Sequence, residues 1–146
     1  MAFHQPPLPK FSIPAANIYM AEQVRELDRL AIKQQGIAGI SLMKRAGQAL
    51  FDRIFSDWPT TGHLTVFCGP GNNGGDGYVV AALAAREKMP VMLVETSPDK
   101  VSGDAERARN YALGMGIEPV TAKEWLKSPG FAETSVIVEA LLGTGF

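Results

Sequence analysis

The stretch Leu64 to Val80, LTVFCGPGNNGGDGYVV, restricts the fold more than any other part of the chain. Five residues, Leu64 to Cys68, rich in β-branched and aromatic side chains, run into a segment with five glycines, and an apolar-periodic run from Tyr78 to Ala85 follows. Strand, glycine loop, helix is the order of a ligand-binding βα turn at the carboxyl edge of a parallel sheet. Glycine tolerates positive φ and lets backbone N–H groups approach a ligand closely. Asp76 falls where a helix N-cap is expected, accepting from backbone donors two or three residues on.

The residues within the loop limit what it binds. Pro70 removes one N–H donor, and no Lys-Ser/Thr pair follows the glycines, so a Walker A phosphate loop is excluded. Gly69, Gly71 and Gly74 spell G-x-G-x-x-G, and Glu95 follows Gly74 by 21 residues at the end of the next strand-like run. That is the dinucleotide fingerprint with its ribose-binding acid. Asn72, Asn73 and Asp76 point elsewhere. Two side-chain amides and a carboxylate, placed where a pyrophosphate belongs, suit a cation or the hydroxyl and amide groups of a ligand. A merely tight βα turn capped by Asp76 needs neither five glycines nor two asparagines.

A length of 146 residues suits one domain, and a net charge of −1 offers no electrostatic case for nucleic acid or an anionic membrane. The one cysteine, Cys68, sits inside a strand-like run, which excludes a disulfide framework and fits a reducing compartment; a cytoplasmic location is expected. No apolar run reaches the ~18 residues of a membrane span. Residues 1–18 open with four prolines in fourteen positions and are expected to form a flexible leader rather than a signal peptide.

Elsewhere helical and extended patterns alternate. Met20, Val24, Leu27, Leu30 and Ala31 share one face of a helix from Tyr19 to Gln35, with Asp28 on its flank as a solvated acid paired to Arg25. Ser41 is expected to cap a second helix that runs to about Trp58, with Met43 in its apolar stripe. Further helices are expected over Val79–Lys88 and Ala105–Met115, with a turn of helix at Lys123–Leu126. Strands are expected at 91–95 (VMLVE) and 135–139 (SVIVE), with an extended piece at Glu118–Thr121. Such alternation means βαβ units and a parallel sheet with helices on both faces. The strand at 135–139 ends in Glu139, and Gly143, Thr144 and Gly145 follow; if it neighbours the first strand, Asn73, Asp76 and Glu139 converge on one cleft.

The segments GPGNNGGDGYVVA and EALLGTGF resemble the NAD(P)H-hydrate epimerase family, the YjeF-type N-terminal domain. The entry MAEQVRELDRLAIKQQGIAGISLMKRAGQALF is similar to that family's N-terminal helix pair with its LM-x-x-AG signature. The resemblance runs from Tyr19 to Phe146 and implies a Rossmann-like three-layer α/β sandwich with a mostly parallel sheet, 19–146 being the N-terminal part of such a domain. It implies an isomerase that interconverts the R and S forms of hydrated NADH and NADPH (NADHX and NADPHX). Substrate contacts would come from Asn72, Asn73, Gly74, Gly75, Asp76, Gly143, Thr144, Gly145 and Phe146. A potassium ion would be held by Asn73 and Glu139, and Asp76 and Glu139 are the candidate acids for catalysis. A fused or separate NAD(P)H-hydrate dehydratase and a homodimer are the expected partners, with no nucleic acid and no membrane.

This sequence departs from the family pattern in having Glu139 where the family has Asp, and in reaching Phe146 without the family's V-D-I-P-S-G segment. A sheet incomplete on its C-terminal side, as in a fragment, is therefore expected. Two other readings remain beside the enzyme: a non-catalytic nucleotide-binding scaffold, and an ordinary NAD-binding Rossmann domain using Glu95.

Overall fold

Residues 19–128 and 136–143 are described by a computed structural model of the chain. The leader at 1–18, Ser135 and the site candidates Thr144, Gly145 and Phe146 lie outside these residues. Helices α1 (Ala21–Lys33) and α2 (Gly39–Asp57) lead into β1 (Leu64–Cys68), α3 (Asn72–Arg86) and β2 (Val91–Glu95). Then come α4 (Gly103–Gly114), β3 (Val120–Thr121), the short α5 (Ala122–Trp125) and β4 (Val136–Ala140). All strand pairs are parallel and the order is β3-β2-β1-β4.

That order reflects crossover handedness. Steps from β1 to β2 to β3 move in one direction, so right-handed connections put α3 and α4 on the same face of the sheet. The return from β3 to β4 reverses direction and brings α5 to the other face, where Trp125 meets the Phe67 ring edge-on at 5.0 Å. Side-chain alternation agrees with this layering. Leu64, Val66 and Cys68 of β1, with Val138 and Ala140 of β4, are buried beneath α3, whereas Ile137 is 51% exposed.

Helix α3 is the centre of the core. Tyr78 through Ala84 are buried without interruption, because the sheet lies below the helix and α2 and α4 flank it. The helix starts at Asn72, seven residues before the Val79 start expected from periodicity, and its N-cap is Gly71, with no side-chain cap. Asp76 is therefore a residue of the second turn and not an N-cap. The glycines were taken for a loop, but their reason is packing. A Cβ on Gly77 would come within 2.7 Å of the Ala140 Cβ and 2.8 Å of the Cys68 Sγ. One on Gly74 would overlap the Gly69 carbonyl oxygen, and one on Gly75 would overlap Met43. Among the described residues, positive-φ glycines occur at Gly36, Gly103 and Gly116, and none lies between Gly69 and Gly77.

Helix α2 answers from its own side. Met43 sits over Gly75, and Gly47 admits Val79 so closely that a Cβ there would lie 2.5 Å from Val79 Cγ1. The LM-x-x-AG signature is thus the surface that receives α3. Helix α2 begins at Gly39 after Ala38, with the Ser41 N–H already bonded to the Ala38 carbonyl at 2.8 Å, so Ser41 lies in the first turn and is not the cap. Helix α1 packs less than its stripe suggests: Leu30 and Ala31 are half-buried, but Val24 and Leu27 stay 41% and 48% exposed and no residue of the helix is fully buried. At α5 a capping box forms, with the Thr121 Oγ1 accepting from the Glu124 N–H at 3.2 Å and the Thr121 N–H donating to Glu124 Oε2 at 2.8 Å.

Candidate functional site

In a parallel sheet, the gap where strand order reverses opens a crevice beyond the carboxyl ends of the strands. Here that gap falls between β1 and β4. Three backbones close around it. Gly69 donates from its N–H to the Ala140 carbonyl at 2.9 Å, and its missing side chain leaves room for the Leu141 carbonyl. The first turn of α3 stacks on Gly69 through Gly74. Asn73 then ties the two loops together, its Nδ2 donating to the Leu142 carbonyl at 3.1 Å.

The resulting cleft has a volume of about 580 Å³ and is walled by Asn72, Asn73 and Asp76 of α3, Leu141 to Gly143 after β4, and Arg25 and Asp28 of α1. A smaller cavity of about 200 Å³ adjoins it, sharing Asp28, Asn72 and Asp76 and adding Asp104 of α4 against an apolar wall that includes Met43. Asp76 is half-buried where the two meet. Burial, and secondarily the charge of Asp28, pushes its carboxyl up from 3.8 to about 6. A carboxyl titrating there both gives and accepts protons near neutral pH.

Not every expected site residue reaches the cleft. Asn72, Asn73, Asp76 and Gly143 line it. Gly74 and Gly75 are buried, and α3 packs through them against Gly69 and Met43. Glu139 does not line the cleft. It alternates along β4 with the buried Val138 and Ala140, so strand geometry turns it away from α3, and its Oε1 accepts from the Leu141 N–H at 2.6 Å. The expected convergence of Asn73, Asp76 and Glu139 is thus met by the first two alone. Asn73 and Glu139 instead bond successive residues of one loop, Leu142 and Leu141.

Glu95 has a different task from ribose recognition. It is 3% exposed, accepts from the Tyr78 hydroxyl at 2.9 Å, and holds the Arg109 guanidinium through contacts of 2.5 and 3.2 Å. With both carboxylate oxygens taken inside the helix layer, it joins β2 to α3 and α4. Asp28, read from sequence as a solvated partner of Arg25, is the residue that reading missed. Arg25 is held by Glu22 at 3.2 Å, and Asp28 faces the cleft. Its place on the flank of the α1 stripe was the available signal.

An ion held at the loop after β4, between Asn73 and Glu139, would meet oxygen donors. Asn73 keeps its carbonyl oxygen while Nδ2 is bonded, and Glu139 keeps its second carboxylate oxygen. Among the described residues, no group of three or more His, Cys, Asp or Glu could hold a metal ion.

Residues 39–146 match the family model described as YjeF-related protein N-terminus. The chain is 39% identical over 129 residues to the bifunctional NAD(P)H-hydrate repair enzyme Nnr of Coxiella burnetii, a match covering 88% of the chain and 25% of that protein. It is 35% identical over 137 residues to the NAD(P)H-hydrate epimerase of Rhodobacter capsulatus, covering 88% of the chain and 62% of the relative. The crystal structure of yeast ynu0, YNL200c, superposes with a TM-score of 0.78 at 22% identity, covering 90% of this chain and 58% of that one, and so shares the fold.

Proposed function

The chain belongs to the YjeF-related N-terminal family, and from that premise we propose that it carries NAD(P)H-hydrate epimerase activity, interconverting the R and S forms of NADHX and NADPHX. One observation carries the reading: a half-buried carboxyl, Asp76, poised at about 6 at the mouth of the strand-order reversal beside Asn72 and Asn73. Inversion at a hydroxyl-bearing ring carbon needs an acid to help the hydroxyl leave as water and a base to take a proton when water returns on the other face. Protonated Asp76 suits the first step and its carboxylate the second. Asn72 and Asn73 would hold the nucleotide's amide and hydroxyl groups and fix the ring between the two loops.

Potassium belongs to the same proposal. Asn73 and Glu139, which bond successive residues of the loop after β4, would hold it at that loop together with the loop's carbonyls, at the edge of the cleft rather than inside it, and the ion would supply fixed positive charge there. The extra methylene of Glu139 carries its carboxylate roughly 1.5 Å further than the family's Asp does. Glu139→Asp is therefore expected to tighten potassium binding and raise activity at low potassium, and indistinguishable potassium titrations would remove Glu139 from the ligand set. A dehydratase as fused or separate partner, a homodimer and a cytoplasmic location complete the reading. No described helix is long and apolar enough to cross a membrane.

Incubating the protein with stereochemically pure NADHX and resolving the epimers by chromatography tests the activity. Equilibration to a mixture faster than in buffer, abolished by Asp76→Asn, is expected. Binding of NADHX without epimerisation would make the protein a nucleotide-binding scaffold. The ordinary Rossmann reading is weakened because Glu95 is already committed to Tyr78 and Arg109.

A further inference from the structure

We propose that α1 is part of the reacting site and that Asp28 is a positioning residue, facing Asp76 across the shared wall of the two cavities and acting on the reaction through it. The proposal rests on the epimerase reading and adds a residue to it.

The geometry carries the argument. Both cavities, of about 580 and 200 Å³, have Asp28, Asn72 and Asp76 in common, so Asp28 and Asp76 face the same space from two helices. Among the described residues lining the two cavities, the other charged groups have partners on their own helices. Arg25 of α1 is bonded to Glu22 at 3.2 Å, and Asp104 of α4 to Arg107 at 3.3 Å. Helix α2 contributes only Leu42, Met43 and Ala46 beyond its first glycine, and the loop after β4 contributes Leu141, Leu142 and Gly143, none of them charged. Asp28 forms no salt bridge with a described residue, and it is the one charge that raises the proton affinity of Asp76 beyond the effect of burial. A like charge across the cleft does this because ionising Asp76 would place two carboxylates on one space.

Its location also makes Asp28 testable without loss of the fold. Helix α1 contributes no fully buried residue, so a polar substitution on its exposed surface leaves the core untouched. The asymmetry has a chemical use: a cleft that must bind a phosphate-bearing nucleotide gains nothing in affinity from an unpaired acid, whereas an acid catalyst at neutral pH gains its proton from one.

The test follows the Asp76 carboxyl by ¹³C NMR across pH 4 to 8, in the parent chain and in Asp28→Asn and Asp28→Glu. The Asp76 midpoint is expected to fall in Asp28→Asn and to hold in Asp28→Glu. In the parent it should also fall as salt is raised, because screening weakens a repulsion that runs partly through solvent. In turnover, the limb of the pH–kcat profile assigned to Asp76 should move by the same amount in Asp28→Asn with KM little changed, which a purely structural role for Asp28 would not produce. An Asp76 midpoint unmoved by Asp28→Asn would overturn the proposal, whatever its response to salt. A midpoint that moves in a protein that never epimerises NADHX would leave Asp28 as assigned and would refute the epimerase reading instead.

Discussion

Adding one methyl group to α3 tests why its first turns carry so many glycines. In Gly77→Ala the new Cβ would lie 2.7 Å from the Ala140 Cβ, 2.8 Å from the Cys68 Sγ and 3.4 Å from the Val66 Cγ1. Carbon contacts relax at ~3.5–4.0 Å, so two of the three are short by roughly an ångström. Ala140 has no rotamer to change, and Cys68 and Val66 stand on β1, which is paired on both sides. The helix must therefore lift from the sheet. Overpacking of this kind costs up to ~3 kcal/mol, and replacing a helical glycine by alanine returns ~1 kcal/mol, which leaves a net loss of about 2 kcal/mol. Gly114→Ala is the matched control. That residue is also helical, the last of α4, has nothing within 4 Å of its would-be Cβ and has no positive φ, so a gain of a few tenths up to ~1 kcal/mol is expected. Urea unfolding followed by far-UV circular dichroism measures both as shifts in midpoint at constant slope. Adding Ala140→Gly to Gly77→Ala should recover part of the loss, a coupling that a double-mutant cycle isolates. If Gly77→Ala is as stable as Gly114→Ala, close packing is not the reason for the glycine.

Three other outcomes follow from the structure. Because the folded Asp76 carboxyl lies above its unfolded value of 3.8, its contribution favours the fold below that pH and is lost as pH rises through about 6. The full rise corresponds to ~3 kcal/mol, and solvent on the open side of the cleft reduces this to about 1–1.5 kcal/mol. Asp76→Asn should thus be more stable than the parent by that amount at pH 8 and equal to it at pH 4, while losing epimerase activity; pH-dependent unfolding with no such divergence would remove Asp76 from its buried setting. Glu95→Gln should cost about 2 kcal/mol, because Arg109 is left partly buried without its counter-charge, and should leave nucleotide affinity unchanged in calorimetry. Affinity lost at unchanged stability would restore the ribose-binding role. Cys68→Ser should cost about 1–3 kcal/mol in thermal unfolding by placing a hydroxyl in an apolar pocket beneath Gly77, and no loss would mean that Cys68 is not enclosed.

The sequence by itself determined the class of fold and where in it the candidate site would lie. Runs such as LTVFC and VMLVE, alternating with amphipathic segments, are the pattern of parallel strands with covering helices. The motif NNGGDG could be placed at the end of the first strand because motif and strand adjoin in the chain. Only tertiary structure decided what lay between distant segments. Periodicity counts apolar residues, so a helix turn made of glycines and asparagines reads as a loop until the sheet and Met43 are seen pressing on it. An acid at a strand end reads the same whether it meets a ribose or an arginine, and Glu95 met Arg109, 14 residues on. Glu139 was assigned to the cleft by its motif, but two-residue alternation along β4 turned it aside. Asp28 carried no local sign of use, because nothing in a solvated helix acid records which helix faces it across a gap; that depends on how α1 docks beside α3.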